Sequence, residues 1–144
     1  MNAMRAFRTY LIVALGGVIG SIARYWFGDL GTTLLTDAFP WGILLVNVLG
    51  CFVIGFFSEA TGASGMLTVS AELRAFVIVG ICGGFTTFSS FSLGTVALLA
   101  SGHWLSGIGN IVLSVLLCLI GVTIGVELVR FTNISTENVD HLGR

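Results

Sequence analysis

Residues Gly83 to Ser92 read Gly-Gly-Phe-Thr-Thr-Phe-Ser-Ser-Phe-Ser, set inside an apolar stretch, Leu73–Ala100, that is longer than the about 20 residues a membrane helix needs. Irregular, polar backbone at membrane depth is tolerated only where protein buries it or a watery cavity exposes it. A chain with such a band must fold so that neighbouring helices pack around it or leave it lining a pathway. The double glycine is expected to break the helix where the polar groups accumulate.

The rest of the chain is equally apolar. Of 144 residues 56% are hydrophobic and 9% charged, where a soluble domain carries about a quarter charged residues. Hydropathy places four spans near Tyr10–Leu30, Trp41–Phe57, Leu73–Ala100 and Trp104–Phe131, so that residues 1–131 form a membrane domain and Thr132–Arg144 a short polar tail. Arg5 and Arg8 precede an apolar run as in a signal peptide, but the run continues to Trp26 and Phe27 without a small-residue cleavage site, so it reads as the first span. Pro40 suits the first turn of span two, and Ser70 with Glu72 the start of span three. Trp26, Trp41 and Trp104 fall near span ends, as interfacial anchors do. The reading is an all-α, multi-pass membrane protein of four transmembrane helices, the third one broken, seated in a plasma membrane. A formal charge of -1 leaves no electrostatic footprint for nucleic acid.

Gly-x-x-x-Gly pairs at Gly16/Gly20, Gly80/Gly84 and Gly121/Gly125 let helix backbones approach closely, which matters where lipid removes the hydrophobic drive for association. Four helices enclose little interior, so a homo-oligomer or close heteromer is expected. Cys51, Cys82 and Cys118 lie in apolar runs with no metal-site spacing, which argues against a disulfide framework or zinc site and for small buried hydrophobes.

Phe85, Phe88 and Phe91 recur every third residue beside two hydroxyl stripes, Thr86/Ser89/Ser92 and Thr87/Ser90. One reading is core packing, with hydroxyls bonded back to their own helix. The other is an anion pathway, because the positive edge of an aromatic ring contacts an anion more weakly than arginine does and permeation needs binding loose enough to release. Asn47, mid-span, is either interhelical glue worth roughly 0.6–2 kcal/mol or an amide donor aimed at that anion. Asn110 and Ser114 lie one turn apart and make one polar face. Arg24 and Glu127 stand near span ends and read as anchors that snorkel to the interface. His103 sits in a tight loop without metal partners.

Two other functions fit less well. A proton-coupled multidrug exporter needs a membrane-embedded carboxylate, and span one has no acid before Asp29. A non-transporting scaffold gains nothing from interrupting its own helix. No nucleophile–base pair or metal constellation suggests an enzyme.

The span-three motif, preceded by Gly42-Ile43-Leu44-Leu45-Val46-Asn47 and by Gly16-Gly17-x-x-Gly20-x-x-x-Arg24, resembles the fluoride channels called Fluc or CrcB, over roughly Leu11 to Val129. The resemblance implies a passive fluoride-selective channel built as an antiparallel, dual-topology dimer with two pores, which exports fluoride that has entered an acidified cell as HF. It implies that Phe88 and Phe91 line the pores with Asn47, that Ser89, Ser90 and Ser114 supply hydroxyls along the fluoride path, and that carbonyls of Gly83 and Thr86 hold a structural sodium ion at the dimer centre. Where the family often has Glu, this chain has Gly94; where relatives can show Thr, one turn beyond Ser114, it has Cys118.

Charge bears on the dual topology. Arg5, Arg8, Arg74, Arg130 and Arg144 fall on the side of both termini, and only Arg24 lies towards the other. The positive-inside rule favours cytoplasmic termini, whereas an antiparallel homodimer needs both insertions. An antiparallel homodimer is the expectation, with an oriented subunit paired to an oppositely inserted homologue as its rival.

Overall fold

Helix α1 (Ala3–Leu34) and helix α2 (Trp41–Ala60) are followed by a segmented third span, and α6 (Trp104–Leu142) closes the chain. The computed structural model describes residues 3–34, 39–63 and 65–142, and the side chains of 30–34 and 134–142 fall outside that description. Within it, Ala3–Asp29, Trp41–Ala60, Ala71–Ala100 and Trp104–Asn133 are long and apolar enough to cross a membrane. The chain is an integral, multi-pass, all-helical membrane protein.

The ends follow local chemistry. Ser70 caps the third span by accepting from the Leu73 N–H at 3.1 Å, with Glu72 in the first turn, where the helix dipole favours an acid. Between the third and fourth spans Gly102 takes a φ of 83°, and the His103 N–H returns to the Leu98 carbonyl at 2.9 Å. Glycine adopts that left-handed conformation without a Cβ clash, which makes the tight reversal possible.

The third span is built in pieces: α3 (Ala71–Ala75), a π-helical stretch Phe76–Cys82, one turn α4 (Gly83–Phe85), and α5 (Phe88–Ala100). The break is real but lies after the glycines, at Thr86 and Thr87, whose backbones are extended (ψ 156° and 110°). Gly83 and Gly84 stay helical. Gly84 works instead as a contact surface: a Cβ there would sit 2.9 Å from the Gly17 Cα.

That contact belongs to a seam. A Cβ on Gly16 would meet the Gly80 Cα at 2.9 Å, and one on Gly20 would meet the Phe85 N at 2.8 Å. The Gly16/Gly20 and Gly80/Gly84 pairs therefore press α1 onto the third span. The Gly121/Gly125 pair does the same for α6 on α2, since added Cβ atoms would come within 3.0 Å of the Val48 carbonyl oxygen and 2.7 Å of the Phe56 N. In lipid such packing stands in for hydrophobic burial. Among the described residues few apolar side chains are deeply buried (Leu44, Val46, Ala60, Cys82, Val129), while large apolar side chains cover the outside.

Candidate functional site

The extended residues Thr86 and Thr87 are the centre of the site. Where the helix stops, its ladder loses partners, and at membrane depth each lost partner must be replaced. Asn47 on α2 replaces two. Its Oδ1 accepts from the Thr87 N–H at 2.7 Å and its Nδ2 donates to the Thr87 carbonyl at 3.1 Å. The Thr87 hydroxyl then caps α5, accepting from the Ser90 N–H at 3.1 Å and donating to the Ser90 Oγ at 3.0 Å, with the Ser89 Oγ 3.1 Å away.

These substitutions have a second effect. In an unbroken helix the Thr87 N–H would bond the Gly83 carbonyl and the Ser90 N–H the Thr86 carbonyl. Asn47 takes the first donor and the Thr87 hydroxyl takes the second. The Gly84 carbonyl receives Arg24 Nη2 at 2.5 Å. Arg24 thus reaches from α1 into the break; the expected snorkelling anchor is a partner for freed backbone. Glu127, in contrast, pairs with Arg130 at 3.1 Å on an exposed face, where Arg130 also meets Glu59 at 2.9 Å.

Beside the break opens a cavity of about 320 Å³. Asn47, Gly50 and Cys51 of α2 line it, together with Thr86, Thr87, Phe88 and Phe91, and Ser114 and Cys118 of α6. Gly50 makes room, since a Cβ there would strike the Thr86 methyl. Phe88 is 78% exposed, and its ring centroid lies 5.4 Å from that of Phe91, the planes tilted by 45°.

The aromatic stripe expected from the spacing is split by the break. Phe85 faces α1 and meets Phe27 edge-on at 5.8 Å and 84°, leaving Phe88 and Phe91 at the cavity. The hydroxyls divide too. Ser92 bonds back to the Phe88 carbonyl at 2.9 Å and Thr86 to the Cys82 carbonyl at 2.9 Å. Ser114 donates to Asn110 Oδ1 at 3.3 Å, Asn110 Nδ2 to Thr95 Oγ1 at 2.8 Å, and Thr95 to the Phe91 carbonyl at 2.8 Å. This relay ties α6 to α5 and ends on the backbone of a cavity phenylalanine. Asn110 is 1% exposed, and among the described residues no buried side-chain polar atom lacks a hydrogen-bond partner.

Of the residues singled out in the sequence, Asn47, Phe88, Phe91, Ser114 and Thr86 share the cavity wall. Ser89 and Ser90 are not part of it and bond to Thr87. Gly83 is exposed and is not part of that wall, and a Cβ there would meet nothing within 4 Å. Sequence reasoning missed Thr87, the hinge of the network, and Arg24 as a backbone partner. An Asn opposite a Thr-Thr step was the available signal for the first; nothing local marked the second. His103 Nδ1 lies 3.0 Å from the Ser101 Oγ, and no group of three or more metal-ligating side chains occurs among the described residues.

Residues 11–126 match the family described as CrcB-like protein, Camphor Resistance (CrcB). The chain is 49% identical over 117 residues to the fluoride-specific ion channel FluC of Rhodospirillum rubrum, covering 81% of this chain and 91% of that protein. It is 49% identical over 116 residues to the fluoride-specific ion channel FluC of Opitutus terrae, covering 81% and 88%. It is 47% identical over 116 residues to that of Methylocella silvestris, again covering 81% and 88%.

Proposed function

The chain belongs to the CrcB family, and we propose that it is a passive, fluoride-specific ion channel that lowers fluoride inside the cell. The observation that carries this reading is the cavity at the broken third helix. It gathers Asn47, Phe88, Phe91 and Ser114 at the N-terminus of α5, in a chain whose relatives bear the name of fluoride channels.

The chemistry suits a small anion. The N-terminal end of α5 carries partial positive charge, favourable to an anion without a full cation. An amide nitrogen has two protons; the Asn47 bond to Thr87 uses one, and the other is left for the cavity. Phe88 and Phe91 offer positive ring edges. Each contact is weak enough for the ion to leave, as conduction requires. The relay from Ser114 to the Phe91 carbonyl fixes this wall against α6.

The working unit is an antiparallel homodimer. An open groove of polar groups facing lipid is unfavourable, and a second copy facing Phe88 and Gly83 would cover it. A structural sodium ion sits at the dimer centre, held by the Gly83 and Thr86 carbonyls. Both carbonyls fit that role because side chains have taken their helical donors, and a hard cation supplies positive charge to several carbonyl oxygens at once.

Release of fluoride from liposomes loaded with potassium fluoride tests the channel. Efflux is expected with valinomycin present to carry potassium, and no efflux above protein-free vesicles would reject it. Cysteine labelling of the C-terminal tail in intact cells tests the dimer. Labelling from both sides is expected, and labelling from one side alone would point to an oriented subunit with a separate partner.

A further inference from the structure

Cys51 of α2 and Cys118 of α6 are distant in sequence, yet line the same cavity. The cause is backbone contact. One turn along α6 from Cys118, Gly121 lets that helix approach the Val48 carbonyl of α2 to within 3.0 Å of an added Cβ, so residues facing each other across this seam are forced together. Cys51 stands one turn beyond Asn47 and Cys118 one turn beyond Ser114, so the pair continues the polar wall of the pathway. Both are partly exposed, unlike Cys82, which is buried and absent from the cavity wall.

The geometry points to a two-thiol site for a thiophilic d10 cation, placed where the bound metal obstructs the fluoride path. Thiolates select soft metals, and two thiolates meet the preference of mercury(II) for two-coordinate binding. With mercuric chloride, two S–H bonds give way to two S–Hg bonds, and two protons and two chlorides leave to solvent. The product is electrically neutral, which avoids the cost of placing net charge in an apolar surrounding. The absence of any group of three or more ligating side chains among the described residues excludes a closed tetrahedral zinc site there. The site itself stands on the cavity geometry, while its effect on flux rests on the fluoride-channel reading.

The test uses the full chain and mercuric chloride. Native mass spectrometry of the wild type is expected to show one mercury per subunit with two protons displaced and no chloride retained. Cys82→Ala should behave identically, and Cys51→Ala and Cys118→Ala should lose this bis-thiolate form. In proteoliposomes, stoichiometric mercury should suppress wild-type and Cys82→Ala efflux, each relative to its own mercury-free rate, and a dithiol should restore it. Cys51→Ala and Cys118→Ala should be far less sensitive. Retention of the bis-thiolate form in Cys51→Ala, or its loss in Cys82→Ala, would overturn the site. Bis-thiolate binding with undiminished flux would overturn its place on the pathway. Mercury-free flux reports separately on the channel reading.

Discussion

Asn47 grips both the N–H and the carbonyl of Thr87, at 2.7 and 3.1 Å, and so replaces a turn of helix with a side chain from another helix. The fold around the cavity depends on this exchange, because Thr87 is buried and its extended backbone has left the helical ladder.

Asn47→Ala is therefore expected to be costly twice over. Two buried backbone groups lose their partners, a penalty of about 1–3 kcal/mol each, and the cavity wall loses its amide. Detergent thermal stability and fluoride efflux should both fall sharply. A variant as stable as the wild type would show that Thr87 finds other partners.

Phe88→Ile and Phe91→Ile keep apolar bulk while removing the ring edge that attracts an anion. Efflux should drop in each, with size-exclusion behaviour unchanged. Normal flux in both variants would sink the aromatic-edge account.

The glycine seam predicts a contrast between near neighbours. Gly80→Ala would set its methyl 2.9 Å from the Gly16 Cα and 2.8 Å from the Val13 carbonyl oxygen, so α1 and the third span must separate. Overpacking of this kind costs about 1–3 kcal/mol. An added Cβ at Gly17 meets nothing within 4 Å, and Gly17→Ala should melt within about 1 kcal/mol of the wild type. Equal melting of the two variants is the outcome that refutes the seam.

Thr87→Val keeps side-chain volume but removes the hydroxyl that caps α5, a loss of about 1 kcal/mol. It also frees the Ser90 N–H to bond the Thr86 carbonyl, which we proposed as a sodium ligand. Sodium should raise the wild-type melting temperature above its value in potassium, and the gain should shrink in Thr87→Val. An identical sodium effect in both proteins would remove the Thr86 carbonyl from the ion's coordination.

Much of this architecture is legible in the chain alone. Bilayer-length apolar runs define the spans because lipid offers the backbone no hydrogen bonds, so composition and length decide the outcome locally. The glycine pairs were readable as helix contacts for a similar reason: small residues at a four-residue spacing make a smooth strip on one face. The cavity residues Asn47, Phe88 and Phe91 stood out as polar or aromatic departures within greasy runs.

Which partner each group meets was decided only in three dimensions. The double glycine suggested the break, yet the helix runs through it and stops at Thr86–Thr87, since Asn47, forty residues earlier, supplies the hydrogen bonds that make unwinding tolerable there. Arg24 read as an anchor and serves the Gly84 carbonyl. Cys51 and Cys118 read as unrelated small hydrophobes, yet the close approach of α2 and α6 brings them to one cavity wall. Periodicity specifies which face a residue occupies on its own helix. It carries no information about what another helix brings to that face, and a broken helix is stable only through what its neighbours bring.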